Sequence, residues 1–225
     1  MLLSVNTRDF FTENFFSDDF EHDKLNNTII TIKKASSNCI ISLVNQSNVT
    51  NDFAKINYDG VNLEIPMTKE MLQFVLKTKP HACYITSEKM TGLNVAGQLA
   101  KMISFVGPLF LSGVNPILSI APEFEQIEAA ANTGVKVVEL VASDYSTCFG
   151  TETEEMEFQK LKKAAEFAQT LNLTVNIGHG LNYENVKRIC EIQNVHELNI
   201  SGSIALRAKS VGLEAAILEM KALID

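Results

Sequence analysis

The chain has 225 residues, 46% of them hydrophobic and 20% charged, with a net charge of −8 at pH 7. That length suits one domain of the α/β-barrel class, slightly under the usual ~250 residues, and the apolar share is enough to bury a core. The acidic balance, with no window that collects Lys and Arg among aromatics, argues against a nucleic-acid surface.

No stretch approaches the ~20 apolar residues that a membrane span requires, so no membrane association is expected. The opening MLLSVNTRDFF lacks a basic leader followed by a long apolar run, and secretion is not expected. Cys39, Cys83, Cys148 and Cys190 are scattered, with no CxxC and no Cys/His spacing suited to zinc. They read as reduced, mostly buried thiols of a cytoplasmic protein.

Taken in order, Leu2 to Asn6 is a short apolar run suited to a first strand. An irregular acidic and aromatic loop, Thr7 to Asp23, then feeds a helix through about Ser36, supported by Leu25, Ile29, Ile30 and Ile32. Cys39 to Val44 is the second strand and Val61 to Ile65 the third. Pro66 stops that strand, and Thr68 caps a helix over Lys69–Lys79. Ala82 to Ile85 is strand four. A helix from Asn94 to about Leu111 follows, expected to break or kink at Gly107-Pro108.

From there the alternation is regular: a strand at Pro116–Ile120, a helix at Glu123–Asn132 closed by Gly134, a strand at Val137–Val141 and an amphipathic helix at Glu154–Leu171. Val175 to Ile177 breaks into Gly178-His179-Gly180, with a helical pattern from about Tyr183. His196 to Ile200 breaks into Ser201-Gly202-Ser203, with a closing helix over Ala205–Ile224. Eight β-type runs alternating with helices predict a single-domain (β/α)8 barrel over residues 1–225. A GxGxxG turn after the first strand is absent, which weakens a dinucleotide-binding sheet as the alternative.

Two successive strand–glycine–helix joints gather bare N–H groups and helix N-termini, and in a barrel the loops after strands seven and eight commonly form a phosphate site. Polar residues expected at strand C-termini, and hence at one mouth, are Asn6, Ser42 or Asn45, Glu64, Glu88, Glu139, Asn176, His179, Asn199 and the Ser201–Ser203 turn. Glu64 and Glu139 stand out, because each is a carboxylate inside an apolar strand and would be costly to bury without a partner. Each reads either as a mouth-facing acid or base, or as a structural Glu paired with a neighbour. His179, between two glycines, can exchange a proton with a ligand bound by the glycine backbone, or can simply cap the loop. His81 and His196 precede their strands and belong to the opposite rim. No lysine falls within the inner part of a strand, which disfavours Schiff-base chemistry. Glu64, Glu139 and His179 form only a weak metal pattern, and no metal is expected.

The segment NIGHGLNYENV followed by HELNISGSIALRAKSVGLEAAI resembles the C-terminal signature of the pyridoxine 5′-phosphate synthase family. NLEIPMTKEMLQFVLKTKPHACYITSEK, LNVAGQ and VVEL are similar to that family in the same order, whereas the first sixty residues match poorly. The resemblance implies condensation of 3-amino-2-oxopropyl phosphate with 1-deoxy-D-xylulose 5-phosphate into pyridoxine 5′-phosphate, by proton transfers and without a cofactor. It implies Glu64 as general base, His179 as proton donor and Glu139 as a further acid. Asn6 and Gly180 would hold the aminooxopropyl phosphate, with Ser201-Gly202 keeping a phosphate-sized turn. The partners implied are small phosphorylated metabolites and further copies of the chain in a homo-oligomer.

Several positions depart from the family pattern. Asn-x-Asp-His becomes Asn6-Thr7-Arg8-Asp9, His-x-Arg after strand two becomes Ser42-Leu43-Val44, and Gly-His after strand eight becomes Ser201-Gly202. The strand-four loop reads Ser87-Glu88-Lys89-Met90, and His-Thr-Gly after the strand-six Glu reads Val141-Ala142-Ser143. These losses fall mostly on the pentulose phosphate side, where Arg8 or Lys89 would have to restore the charge. Two alternatives stay open: a non-catalytic relative that binds a phosphorylated ligand, and a different phosphosugar enzyme on the same barrel.

Overall fold

In a computed structural model that describes residues 1–10, 22–44, 60–87 and 91–225, all eight expected strands are present. Each pairs in parallel with the next, and β8 returns to β1 to close a barrel. The strands are β1 (Leu2–Asn6), β2 (Asn38–Ser42), β3 (Asn62–Pro66), β4 (Ala82–Thr86), β5 (Asn115–Ile120), β6 (Val137–Val141), β7 (Thr174–Gly178) and β8 (Val195–Ile200). The helices are α1 (His22–Ala35), α2 (Lys69–Thr78), α3 (Leu99–Ser112), α4 (Phe124–Asn132), α5 (Ser143–Cys148), α6 (Glu154–Thr170), α7 (Val186–Ile189), α8 (Gly202–Val211) and α9 (Leu213–Ile224).

Successive strand residues point to opposite faces, and here the two faces differ sharply in chemistry. The outward set, including Ile41, Leu63, Ile85, Leu118, Leu140, Ile177 and Leu198, joins the helices in one continuous apolar core. The inward set has only a small apolar cluster, Ile40, Ala82, Tyr84 and Ile117, with Val137 against it. The rest of the barrel interior is polar, with Ser4, Asn6, Glu64, Ser119, Glu139, Asn176, Glu197 and Asn199 all buried. Full burial of such groups is tolerable only where hydrogen bonds replace water, so the interior is the place to look for a site.

Four helical segments differ from the sequence pattern. Pro108 does not break α3, which runs through it to Ser112. Gly107 has no Cβ to meet the proline ring, and the buried stripe Met102, Phe105, Val106 and Leu109 holds the helix on both sides. The closing helix is two helices, because Gly212 takes φ +86° between α8 and α9. The helix expected from Tyr183 is a single turn, Val186–Ile189, since the side chains of Asn182 and Asn185 bond the local backbone instead. A short α5 follows β6 where no helix was expected, anchored by buried Tyr145, whose hydroxyl donates to the Asn185 carbonyl at 2.9 Å. Thr68 caps α2 as expected, its hydroxyl accepting from the Met71 N–H. No helix among the described residues is long and apolar enough to cross a membrane.

Candidate active site

At the C-terminal mouth of the barrel lies a cavity of about 360 Å³. Asn6, Glu64, Glu139, His179, Gly180, Ser201 and Gly202, the seven residues singled out from sequence, all line it. They come from five different strand ends, so closure of the barrel alone brings them together.

The β6–β8 side is organised around Glu139. Its Oε1 accepts from Ser119 Oγ at 2.8 Å and meets His179 Nε2 at 3.0 Å, while its Oε2 accepts from Asn199 Nδ2. Both side chains of the His179–Glu139 pair are buried, at 8% and 3% exposure. Burial alone would raise the Glu139 pKa, but the hydrogen bond and charge of His179, helped by Asn199 and Ser119, hold it below the ordinary 4.5. For His179, burial works downward, yet the hydrogen bond and charge of Glu139, with a further contribution from Glu64, raise it above 6.5 against the opposition of Arg8. The two directions agree: each group favours the charged form of the other.

Glycine makes this arrangement sterically possible. A Cβ on Gly178 would lie 2.8 Å from Glu139 Oε2, in the space the carboxylate occupies. His179 itself sits at φ +71° and Gly180 at +85°. A non-glycine residue in the left-handed region costs on the order of 1 kcal/mol, and the turn is held there by Asn185, whose side chain donates to the Gly180 carbonyl at 3.2 Å. The second joint is tied to the first, because Ser203 Oγ donates to the Leu181 carbonyl at 3.0 Å. Gly202 opens α8, so the helix N-terminus faces the cavity. Asp9 approaches that joint. Its N–H donates to Ser201 Oγ at 3.0 Å, and a Cβ on Gly202 would stand 3.3 Å from its Oδ2.

The β1–β3 side holds Glu64 by a different device. Arg8 grips it with both ends of the guanidinium fork, at 2.7 Å to Oε1 and 3.3 Å to Oε2, and Asn6 Nδ2 donates to Oε2 at 2.9 Å. Asn6 Oδ1 in turn accepts the Arg8 N–H at 2.9 Å. Arg8 restores a positive charge to this side of the mouth, but in this structure it spends that charge on Glu64. Val44 is buried and apolar, and Ser42 contributes its N–H to Thr7 Oγ1 at 3.3 Å. Asn45, Glu88 and Lys89 lie outside the described residues.

One expected mouth residue is elsewhere. Asn176 sits one layer below Gly178, where its Nδ2 donates to Tyr84 Oη at 3.0 Å and faces Glu197 Oε1 at 3.4 Å. It lines a second cavity, at the N-terminal rim, together with His81 and His196. The reason is register: Gly178 is the last strand residue, and the inward side chain two positions earlier is already mid-barrel. Buried Glu197, bonded by Tyr84 and Asn38, was missed although it carries the same signal as Glu64 and Glu139, a carboxylate within an apolar strand. Ser119 was missed too, since nothing in NPILSI separates it from an ordinary strand serine.

Comparison with known proteins places the chain in a family. The chain is 38% identical over 171 residues to a pyridoxine 5′-phosphate synthase of Idiomarina loihiensis, covering 73% of this chain and 71% of that protein. It is 40% identical over 171 residues to one of Legionella pneumophila, covering 73% and 69%. Among solved structures, a tryptophan synthase α-subunit of Pyrococcus furiosus superposes with a TM-score of 0.66 at 12% identity, covering 98% of this chain and 94% of that one. That likeness is one of fold alone. The family described as pyridoxal phosphate biosynthesis protein PdxJ matches residues 43–225, and the chain belongs to it.

Proposed function

We propose that the protein acts in vitamin B6 biosynthesis as a pyridoxine 5′-phosphate synthase, joining 3-amino-2-oxopropyl phosphate to 1-deoxy-D-xylulose 5-phosphate. One observation carries the reading: His179, paired with Glu139 at 3.0 Å, and both glycine joints open onto the same cavity. The phosphate of the aminooxopropyl substrate would lie between Gly180 and the Ser201-Gly202 start of α8, where backbone N–H groups and the helix dipole favour an anion. His179, kept protonated towards neutral pH by Glu139, would give its proton to a departing hydroxyl or phosphate oxygen. Glu64 would take a proton from a substrate carbon at Oε1 once that atom is free. Asn199, at the cavity wall, donates from Nδ2 to Glu139 Oε2 and helps to hold that carboxylate beside His179. The reading needs no cofactor, and it places the protein as a cytoplasmic homo-oligomer acting on small phosphorylated metabolites.

The test is direct. The purified protein, given both phosphates at saturation, releases inorganic phosphate and forms a product with the mass and absorbance of pyridoxine 5′-phosphate. A folded sample that forms none removes the reading. A second reading, binding of one phosphorylated ligand without ring closure, is favoured by the two hydrogen bonds from Arg8 that occupy both Glu64 oxygens. It predicts that binding of 3-amino-2-oxopropyl phosphate survives while no product forms.

A further inference from the structure

Arg8 is the only lysine or arginine among the described residues that line the mouth cavity. It is also the more accessible half of its ion pair, with a side chain 10% exposed against 3% for Glu64. A ligand entering the mouth therefore meets the guanidinium before the carboxylate. The fork that grips Glu64 presents two parallel N–H donors, and this geometry fits a phosphate as well as a carboxylate. The backbone of Arg8 is pinned separately, by its N–H to Asn6 Oδ1 at 2.9 Å, so the side chain can change partners while its root stays in place.

We propose that Arg8 is the specificity-determining residue of this mouth: a latch that exchanges Glu64 for an anionic group of the ligand, a phosphate monoester, and so frees Glu64 only when such a ligand is seated. This deepens the synthase reading and rests on it. The exchange is selective for a physical reason. Pulling one member out of a buried ion pair leaves an uncompensated charge, which is strongly unfavourable. A neutral ligand offers Arg8 nothing in return, whereas a phosphate replaces one charge-assisted pair with another. After the exchange Glu64 keeps the Asn6 donor on Oε2 and loses the Arg8 donor on Oε1, which at 2.7 Å is the one hydrogen bond that atom accepts among the described residues. Oε1 then becomes the open basic oxygen. Arg8 comes from the β1 end, whereas the position it would replace, Val44, follows the neighbouring strand β2.

Inorganic phosphate is the probe, followed by calorimetric titration and by the side-chain Nε–H signal of Arg8 in nitrogen-edited NMR. In the unaltered protein phosphate shifts that signal, and glycerol, a neutral polyol, does not. Glu64→Gln removes the competing carboxylate and strengthens phosphate binding by about tenfold, whereas Arg8→Gln weakens it by about tenfold, the order expected for a charge-assisted hydrogen bond. Arg8→Lys keeps the charge without the fork and falls between. Thermal unfolding of each variant checks that it is folded, and the Glu64→Gln arm stands if Arg8→Gln fails to fold. Equal affinities in all four proteins, or weaker binding in Glu64→Gln, overturn the latch. These titrations read binding alone, so an absence of ring-closing turnover would sink the synthase reading without deciding the latch.

Discussion

The two sides of the mouth are built on different principles. On the β6–β8 side the chemistry is set by backbone: Gly178, His179 and Gly180 fix a turn whose φ values place the imidazole against Glu139, and three donors lock that carboxylate. On the β1–β3 side a long flexible side chain, Arg8, decides what Glu64 can do. The first lies wholly within residues 43–225 that match the family, whereas Asn6 and Arg8 fall before them. A backbone-set site keeps its geometry when neighbours change, and a side-chain-set site can be rewired by one substitution. The family match thus covers the whole β6–β8 side, while Asn6 and Arg8 of the opposite side lie outside it.

The largest effect that separates the two sides is expected at His179. His179→Ala lowers turnover by about 10²–10⁴, the usual range for losing a general acid, with little change in phosphate binding at the glycine joints; steady-state kinetics and a phosphate titration read both. Next comes Gly178→Ala. The added Cβ would sit 2.8 Å from Oε2 of the Glu139 carboxylate, which Asn199, Ser119 and His179 together hold in place, so the cost is on the order of 1–3 kcal/mol of overpacking, measurable as a lower midpoint of denaturant unfolding. An unchanged midpoint would mean that the β6–β8 side yields as readily as the β1–β3 side. Ser119→Ala removes one donor from Glu139 and costs about 1 kcal/mol, or roughly 2–4 °C in Tm for a chain of this size.

A smaller effect appears in the pH dependence of stability. Folding raises the His179 pKa, so its contribution is complete below the ordinary 6.5 and fades as pH climbs through the folded value. Folding lowers that of Glu139, so its contribution is complete above 4.5 and fades as pH falls through the folded value. The Tm difference between the protein and His179→Gln should therefore be largest between pH 4.5 and 6.5 and shrink above and below that window. A difference that grows steadily towards alkaline pH would contradict a charged pair. The smallest effect is the control: Arg207→Ala, which removes the solvent-exposed bonds to Glu219, should leave Tm and phosphate binding unchanged.

The barrel was legible because its two signals are local and repeated: short β-type runs, and helices between them with caps such as Thr68. The helix ends were less so. Whether Pro108 breaks a helix depends on how firmly Phe105 and Leu109 are buried on either side, which is a tertiary fact. Similarly, the split at Gly212 depends on how α8 and α9 pack. In the site, Glu64, Glu139 and His179 could be found because a charge in an apolar strand or between two glycines is conspicuous. That signal does not say which end of the barrel a side chain reaches, so Asn176 was placed at the mouth and Glu197 was passed over. Nor does it give a loop side chain its partner. Arg8 could be named as a replacement charge, but the fork on Glu64 required coordinates.

The proposed reading puts the substrate phosphate at one position on the β6–β8 side. The measurement that tests it most directly is a crystal structure of the protein soaked with inorganic phosphate. The expected result is a phosphate between Gly180 and Gly202, bonded by the N–H groups of the two joints and within reach of His179, with the Asp9 carboxylate moved away. A mouth in which Asp9 stays against Gly202 and no phosphate occupies the two glycine joints, whether or not one binds at Arg8, would contradict the account of this side.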